Sequence, residues 1–248
     1  MLDTQGRPVR VVLCYITVAG GQRTDEYAAR FVQTYQQNAA GYPHATIIVS
    51  NGGPLSDVCR FLFTGFPGLS VWERPNDPGW DLSAYREVAA SIGTVPTNFM
   101  LVCFGESIHF HRPGWLLKLV GAWNTYGPGM YGAFASHTIR AHINTTGFAI
   151  EPSLFSYWPE PFQVRQDRYE FEHGDRALWR RLSEKRIPVM LVTWDGVWPS
   201  MAWRYAPNIL WRGNQRNCLF FCQHTDNYFA STKERRARWE RMVDAPYR

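Results

Sequence analysis

The stretch NDPGWDLSAYR, residues 76–86, is followed along the chain by the apolar segment NFMLVCF, residues 98–104, which runs directly into the polar turn GES, residues 105–107. The first stretch is a glycine-containing turn that brings Trp80 and Asp81 to the start of a helix. The second is a buried strand that ends in Glu106. Open α/β sheets bind ligands in a crevice at the carboxyl ends of their strands, so we expect both acids to border one crevice. A nucleotide-sized ligand would find hydrogen-bond acceptors there for its ring or ribose.

Apolar runs alternate with helical patterns over the first 136 residues. The order of these segments predicts an α/β fold with a mostly parallel, twisted sheet and helices on both faces. We predict strands at 9–18, 45–50, 69–73, 99–104 and 129–136, and helices at 24–38, 55–63, 82–91 and 115–123. Further along, we predict one or two strands at 139–150, a helical turn at 152–155, a helix at 176–185 and a strand at 189–193.

The chain length favours one domain over two, since 248 residues without a repeat or a low-complexity linker suit a single large α/β unit. We therefore predict one domain over residues 1–248, with a basic C-terminal helix at 231–248. No apolar run is long enough to span a bilayer, and no signal peptide is recognisable, so we expect a soluble protein. The five cysteines form no disulfide pattern, which favours a reducing compartment, the cytoplasm of a bacterium or, for a viral protein, of its host.

The positive charge is concentrated in the C-terminal part of the chain. Residues 176–248 carry 14 Lys and Arg against 6 Asp and Glu, whereas residues 1–175 carry 12 against 15. This asymmetry predicts contact with phosphate, nucleic acid or another anionic surface, although the pattern of the segment 233–241 itself favours a solvated basic helix. Aromatic residues make up 15% of the chain, including 11 Trp, which indicates either an aromatic core or a groove that stacks sugars or bases.

The order of these segments resembles the nucleotide-sugar-dependent glycosyltransferases of the GT-A fold, in particular the family 2-like enzymes of bacteria and viruses. The resemblance extends from about residue 9 to residue 228. It depends on five segments in the family's order: the strand 9–18 with Gly20-Gly21, the segment 79–86, the segment 104–108, the segment 171–174, and the segment 212–215 with 224–226. Residues 79–86 are similar to the family's Gly-x-Asp-x-x-Ala-Tyr segment, and residues 104–108 take the place of its Asp-x-Asp motif.

The resemblance implies a transferase that moves a sugar from a nucleoside diphosphate, such as UDP, to an acceptor hydroxyl. Residues 9–136 would then form the nucleotide-sugar-binding half and residues 137–230 the acceptor and catalytic half. It implies two groups of binding residues: on the donor side Trp80, Asp81, Arg86, Gly105, Glu106, Ser107, Arg212 and Gln215, and on the acceptor side His137 and Arg140. For Asp81 a helix N-cap, for Arg86 a surface ion pair, and for the acceptor-side pair ordinary polar packing remain alternatives.

Glu172 and Asp175 are the candidate catalytic carboxylates. Inverting sugar transfer needs one carboxylate that takes the proton of the acceptor hydroxyl as this hydroxyl attacks the anomeric carbon. The segment 171–174 is expected to open a helix after a strand-like stretch at 168–171, and this would place Glu172 in the crevice. Plain complementarity with the helix dipole would equally favour acids at a helix start.

The segment 104–108 departs from the family pattern, because Glu106 is its only carboxylate. A pair of carboxylates would bind Mg²⁺ or Mn²⁺ across the diphosphate, since hard cations prefer oxygen ligands. The remaining expectation is a weak divalent cation site with Glu106 and His224 as ligands, or no metal at all.

Two other classes of function compete with glycosyl transfer. A nucleotidyltransferase of similar fold would need a basic, glycine-rich triphosphate loop, for which Gly20-Gly21-Gln22-Arg23 is the only candidate near the N-terminus. A non-catalytic protein that binds carbohydrate or nucleic acid would need only the aromatic residues and the basic C-terminal part. For a transferase, the acceptor would be a glycan hydroxyl or, given the basic C-terminal part, a modified base in DNA.

Overall fold

A computed structural model describes residues 8–92, 98–138 and 140–244. Eight of its strands form one sheet in the order β10-β9-β5-β8-β4-β1-β2-β3, and β6 pairs with β7 in a separate two-stranded sheet. The strands are β1 Arg10–Val18, β2 Ala45–Asn51, β3 Ser70–Arg74, β4 Phe99–Phe104, β5 Met130–Gly132, β6 Ala135–Ser136, β7 His142–Ile143, β8 Gly147–Ile150, β9 Val189–Val192 and β10 Val197–Pro199.

The four strands β3, β2, β1 and β4 are parallel neighbours, and β5 is parallel to β9. Strand β8 lies antiparallel between β4 and β5, and β10 is antiparallel to β9. The predicted α/β class with a mostly parallel sheet is therefore confirmed. The antiparallel β8 has a consequence for the site: its first residue, Gly147, pairs with Phe104, so the turn before β8 lies at the carboxyl end of β4.

The helices cover both faces of the sheet. They are α1 Thr24–Gln37, α2 Asp57–Phe63, α3 Trp80–Ile92, α4 Trp115–Tyr126, α5 Arg165–His173, α6 Leu178–Glu184, α7 Gln223–Phe229 and α8 Lys233–Asp244. One core joins α1, α2 and α4 to one side of the sheet, and a second core joins α3, α5 and α6 to the other. Alternate residues of β1 enter opposite cores: Leu13 and Tyr15 the first, Cys14 and Ile16 the second. This alternation follows from the two-residue period of a strand.

The structure corrects the prediction for residues 165–177. Residues 168–171 do not form a strand but belong to α5, and the next helix, α6, begins only at Leu178. The start of α5 is fixed by Asp167, whose Oδ2 accepts hydrogen bonds from the backbone N–H groups of Gln163 and Val164 at 2.6 and 2.8 Å. Because Phe171 is the only buried residue of α5, this helix leaves little apolar periodicity in the sequence.

The predicted strand 129–136 is also corrected, because it divides into β5 and β6. A Cβ atom on Gly132 would lie 2.5 Å from Cγ2 of Ile143, so this glycine lets β7 pack directly over the chain where it leaves the large sheet. Of the predicted segment 139–150, residue 139 lies outside the described residues, and the remainder contains β7 and β8 with a turn between them. The described part of the predicted C-terminal helix is α8. Among the described residues, no helix combines the length and the apolar character that a membrane span requires.

Candidate active site

The turn before α3 is held by Asp77, not by Asp81. Oδ1 of Asp77 accepts hydrogen bonds from the backbone N–H groups of Gly79 and Trp80 at 2.8 and 2.9 Å, and from the hydroxyl of Ser83. A Cβ atom on Gly79 would lie 2.5 Å from Cβ of Phe162, so only glycine allows this close approach. Because Asp77 performs the capping, the carboxylate of Asp81 is available for other contacts.

Trp80 adopts a backbone conformation that bulky residues rarely tolerate. Its φ is +48°, in the left-handed region, and its side chain is 49% exposed. The guanidinium carbon of Arg168 lies 4.8 Å from the centre of its ring system. An exposed indole held in a strained backbone is a feature that clusters at binding sites, and it offers a stacking surface beside Asp81.

Asp81 pairs with a cation that sequence analysis did not identify. Its Oδ1 lies 2.7 Å from Nη2 of Arg168, and its side chain is 21% exposed. Burial raises the pKa of Asp81; Arg168 opposes this effect and the negative charge of Glu172 adds to it. Arg168, the partner of Asp81, lines the same cavity as Glu172, so the two acids, which are far apart in sequence, border one crevice.

Glu172 lies in the last turn of α5, so the expectation that it opens a helix is wrong. Its Oε1 accepts hydrogen bonds from the backbone N–H and the hydroxyl of Thr145, at 2.7 and 3.3 Å. Thr145 belongs to the turn before β8, and the carbonyl of its neighbour Thr146 accepts a hydrogen bond from the N–H of Gly105 at 2.8 Å. The carboxylate therefore reaches the end of β4 from the side of β8. We refer to the space bordered by Asp81, Thr145, Arg168 and Glu172 as the α3–α5 crevice.

Histidines surround the second oxygen of Glu172. Oε2 lies 3.3 Å from Nε2 of His173, and the rings of His142 and His173 lie 4.0 Å apart. Burial by itself would raise the pKa of Glu172, but the hydrogen bond to His173, the electrostatic interactions with both histidines and the hydrogen bond from the Thr145 amide outweigh it and lower the pKa. Glu172 is accordingly an anion at neutral pH. Burial also lowers the pKa of His224, and the negative charge of Glu172 opposes that effect.

A cavity of about 350 Å³ opens directly onto Glu172. Its lining is polar and includes two arginines and a tyrosine: Leu82, Thr145, Arg165, Gln166, Arg168, Tyr169, Glu172 and His173. A second cavity, of about 280 Å³, lies at the ends of β1 and β2 and is lined mainly by residues 17–22, residues 24–26 and Ser56. The first cavity lies within the range of about 300–1,000 Å³ that is usual for sites of small organic ligands, and the second lies just below it.

The β4 turn, residues 105–107, carries a carboxylate that is already bound within the protein. Oε1 of Glu106 accepts a hydrogen bond from the hydroxyl of Thr24 at 3.0 Å, and its backbone carbonyl accepts one from the hydroxyl of Tyr15 at 2.7 Å. Burial raises the pKa of Glu106, whereas the Thr24 hydroxyl and the charge of Arg23 act in the opposite direction. The hydroxyl oxygen of Ser107 accepts a hydrogen bond from the N–H of Gln223 at the start of α7.

The β4 turn does not fit the usual arrangement of carboxylates around Mg²⁺ or Mn²⁺. Among the described residues, the only group of three candidate ligands is His142, Glu172 and His173, and it includes neither Glu106 nor His224. His224 lies 5.7 Å from Trp211, measured between ring centres, and interacts with the charge of Glu172. The pairing of Glu106 with His224 stays a prediction that no contact between them supports.

Three predicted donor-site residues have structural partners. Nη1 of Arg86 donates to the carbonyl of Glu160 at 2.8 Å. Nη2 of Arg212 donates to the carbonyls of Arg204 and Ala206. Gln215 is fully buried, and its amide bonds to backbone carbonyls of the same loop. That these three residues bind the donor remains a prediction.

The two residues predicted on the acceptor side, Arg140 and His137, lie in different environments. Arg140 forms an ion pair with Asp175, whose side chain is 85% exposed. His137 is buried, and burial lowers its pKa to about 4. Asp175 is thus a surface residue, in contrast to Glu172.

Sequence reasoning missed two residues that border the α3–α5 crevice, Thr145 and Arg168, and it missed His173, which lines the adjoining cavity. No motif marks them, because they come from a turn and from a helix that has no apolar stripe. The one usable signal was the density of polar and aromatic residues in RYEFEH, residues 168–173.

Comparisons with known proteins concern the fold alone. No protein-family model and no curated protein matches the chain. Among solved structures, mouse xyloside xylosyltransferase 1 in its apo form is similar at a TM-score of 0.46 and 12% identity, over 72% of this chain and 82% of that one. A mannosyltransferase from Pyrobaculum calidifontis, in complex with GDP-Man and Mn²⁺, has a TM-score of 0.42 and 14% identity over 68% of this chain, which spans about half (52%) of its length. A nucleotide-diphospho-sugar transferase from Desulfovibrio desulfuricans has a TM-score of 0.43 and 13% identity, over 73% of this chain and 78% of that one.

Proposed function

We propose that the chain is a GT-A-like glycosyltransferase that moves a sugar from a nucleoside diphosphate to an acceptor hydroxyl. The observation that carries the proposal is the α3–α5 crevice, in which Glu172 and Arg168, the partner of Asp81, line one cavity of about 350 Å³. Crevices at the carboxyl ends of strands are where open α/β sheets bind their ligands. The cavity at the ends of β1 and β2 lies at the same edge of the sheet and suits the nucleotide.

Glu172 is the proposed general base. It is an anion held in a defined position by two hydrogen bonds from Thr145, and it faces a cavity that an acceptor could enter. The competing candidate, Asp175, is solvent-exposed and paired with Arg140. A carboxylate that takes the acceptor proton during attack on the anomeric carbon leads to inversion.

Trp80, Asp81 and Arg168 would recognise the donor. Asp81 would accept a hydrogen bond from the nucleotide through Oδ2, since Oδ1 is occupied by Arg168 and by the N–H of Leu82. Trp80 offers an exposed ring face for stacking, and Arg168 contacts both residues, since it pairs with Asp81 and lies over the Trp80 ring. Donor recognition by these residues does not require a metal ion at the β4 turn.

A glycan hydroxyl is the proposed acceptor, and a hydroxylated base in DNA is the alternative that the charge distribution favours. Helix α8 packs inward through Val243 and through Trp239, which stacks on Trp211 at 5.2 Å between ring centres. Its exposed side includes Lys233, Arg235, Arg238 and Arg241. Binding to nucleic acid through this side would weaken steeply with salt, whereas binding of a neutral glycan would not.

A thermal-shift screen of nucleoside diphosphates and their sugars tests the donor part of the proposal. A ligand present at about 100 times its dissociation constant should stabilise the folded protein by about 2.7 kcal/mol. We expect at least one nucleoside diphosphate to raise the melting temperature, and Asp81→Asn to reduce that rise. The absence of any shift across the common nucleotides at millimolar concentration would contradict the proposal.

A further inference from the structure

Two histidines and one glutamate meet at the inner end of the α3–α5 crevice. His142 comes from β7, whereas Glu172 and His173 end α5. One candidate ligand atom from each residue lies within 4.8 Å of the other two. His142 is 3% exposed, and the side chains of Glu172 and His173 are 17% and 11% exposed. The set therefore combines two imidazole nitrogens and one carboxylate oxygen in a largely buried place.

Neighbouring backbone groups orient these side chains as they do in metal sites. Nδ1 of His142 lies 2.7 Å from the carbonyl oxygen of Arg140, so Nδ1 donates to this carbonyl and Nε2 keeps its lone pair. Metal-binding histidines in proteins almost always donate their other N–H in this way. Thr145 occupies Oε1 of Glu172, which leaves Oε2 on the side of the histidines.

One polar atom of the cluster lacks a partner within the described residues. Nδ1 of His173 is buried and forms no hydrogen bond there. Buried polar atoms are nearly always satisfied, so such an atom calls for a ligand or a water molecule. A third imidazole, that of His224, is close enough to interact electrostatically with both His142 and Glu172.

We propose that His142, Glu172 and His173 bind a divalent transition-metal ion of the Zn²⁺ or Co²⁺ type. Imidazole ligands favour these ions, whereas Mg²⁺ prefers oxygen ligands and gives up its water reluctantly. Three protein ligands leave a coordination position open to water or to a ligand from the cavity. The ion therefore belongs at the end of α5 and not at the β4 turn.

A bound ion would prevent Glu172 from acting as the proposed general base. Oε2 of Glu172 becomes a metal ligand, and Oε1 is already bonded to Thr145, so neither oxygen can take a proton from an acceptor. Sugar transfer should therefore fall as the site fills with Zn²⁺. The inhibition rests on the proposed function; the binding of the ion does not.

Titration of the chelator-treated full chain with Co²⁺, in the absence of any nucleotide sugar, tests the site. Co²⁺ bound by two imidazoles and a carboxylate absorbs in the visible, and we expect these bands to saturate at one ion per chain and to persist in excess Mg²⁺. His142→Gln and His173→Gln should each weaken Co²⁺ binding by at least about 10–100-fold, the effect of losing even an outer partner of a metal ligand. His44→Gln is the matched control, since His44 is a half-buried histidine hydrogen-bonded to Tyr35 in another part of the protein.

Circular dichroism and thermal melting establish that each variant folds, and Glu172→Gln supplies a third variant of nearly unchanged shape. The site is refuted if the wild-type chain gives no visible Co²⁺ spectrum at millimolar Co²⁺, or if the folded variants bind Co²⁺ as tightly as the His44→Gln control. Either result would leave the proposed transfer activity untouched, because no donor is present in the titration. Conversely, a metal site confirmed in a chain that transfers no sugar would overturn the proposed function alone.

Discussion

The β4 turn and the α3–α5 crevice lie at the same edge of the sheet but differ in how their carboxylates are used. At the β4 turn, the carboxylate of Glu106 is bonded to Thr24, and its backbone carbonyl is bonded to Tyr15. In the α3–α5 crevice, Asp81 is paired with Arg168, and Arg168 and Glu172 line an open cavity. The difference teaches that a strand-end acid at the expected place can be bound within the protein, so that an acid from another element becomes the candidate base. In this protein the candidate site, the α3–α5 crevice, is formed by helix ends and by the turn before an antiparallel strand.

Replacing Glu172 should have the largest effect. General-base assistance contributes about 10²–10⁴-fold to a rate, so Glu172→Gln should reduce turnover by that factor, because the amide keeps the shape and cannot accept the proton. Donor affinity should change little. The measurement is steady-state kinetics with the donor varied.

Asp175→Asn is the matched control for Glu172→Gln, since it removes a carboxylate only three residues away that is 85% exposed and paired with Arg140. We expect it to retain most of the wild-type turnover. If Asp175→Asn lost turnover and Glu172→Gln kept it, the general base would be the exposed Asp175 and not the buried Glu172.

The comparison of the two regions is tested directly by Asp81→Asn and Glu106→Gln. Loss of a hydrogen bond to a charged group costs about 1.5–3 kcal/mol, so Asp81→Asn should weaken donor binding by about 10–150-fold. Glu106→Gln should weaken it by less than about tenfold, because glutamine can still accept the hydrogen bond of Thr24. Calorimetric titration with the nucleoside diphosphate measures both effects, and a larger loss for Glu106→Gln would make the β4 turn the donor site.

Gly79→Ala should lower the free energy of unfolding by about 1–3 kcal/mol, the usual cost of forcing extra atoms into a packed region. The added methyl group would collide with Phe162 and with the Ser83 hydroxyl. Gly121→Ala is the control: this glycine lies inside α4, and nothing is within 4 Å of an added Cβ atom, so alanine should stabilise by about 0.5–1 kcal/mol. Urea denaturation distinguishes the two; equal effects would mean that the turn before α3 is loosely packed.

The smallest effect concerns His111, which follows the β4 turn. Burial lowers the pKa of His111. The hydrogen bond to the Cys218 carbonyl acts to raise this pKa, and the positive charge of Arg112 lowers it further. Because the unfolded chain holds the proton more tightly, with a pKa of about 6.5, the free energy of unfolding should decrease as the pH falls below about 6.5. His111→Gln should make this dependence shallower. Denaturation at several pH values measures the slope, and an unchanged or steeper slope in the variant would show that His111 is not held neutral.

The sheet could be predicted from the sequence because each buried strand corresponds to a run of apolar residues. Residues 99–104 and 45–50, for example, lie within strands of the structure almost to the residue. Helix α5 could not be predicted, since it buries only Phe171 and therefore has no apolar stripe. The antiparallel orientation of β8 is likewise absent from local patterns, because it is a property of the long-range pairing with β4 and β5.

For the site, the sequence identified Asp81, Glu106 and Glu172 as individual acids but not their relations. Whether an acid is reactive depends on its partners in space: Thr24 for Glu106, and Arg168, Thr145 and His173 for the other two. These partners come from distant segments. Polar residue types could be recognised in the sequence, whereas the pairing of charges required the fold.

Release of the sugar from nucleoside diphosphate sugars in the presence of the chain tests the proposed transfer most directly. A transferase without its acceptor leaks sugar to water slowly, whereas a binding protein does not. We expect hydrolysis of at least one donor by the wild-type chain, retained by Asp175→Asn and reduced by about 10²–10⁴-fold in Glu172→Gln. Tight binding of nucleoside diphosphate sugars without hydrolysis, or hydrolysis that is unchanged in Glu172→Gln, would contradict a catalytic role for the α3–α5 crevice.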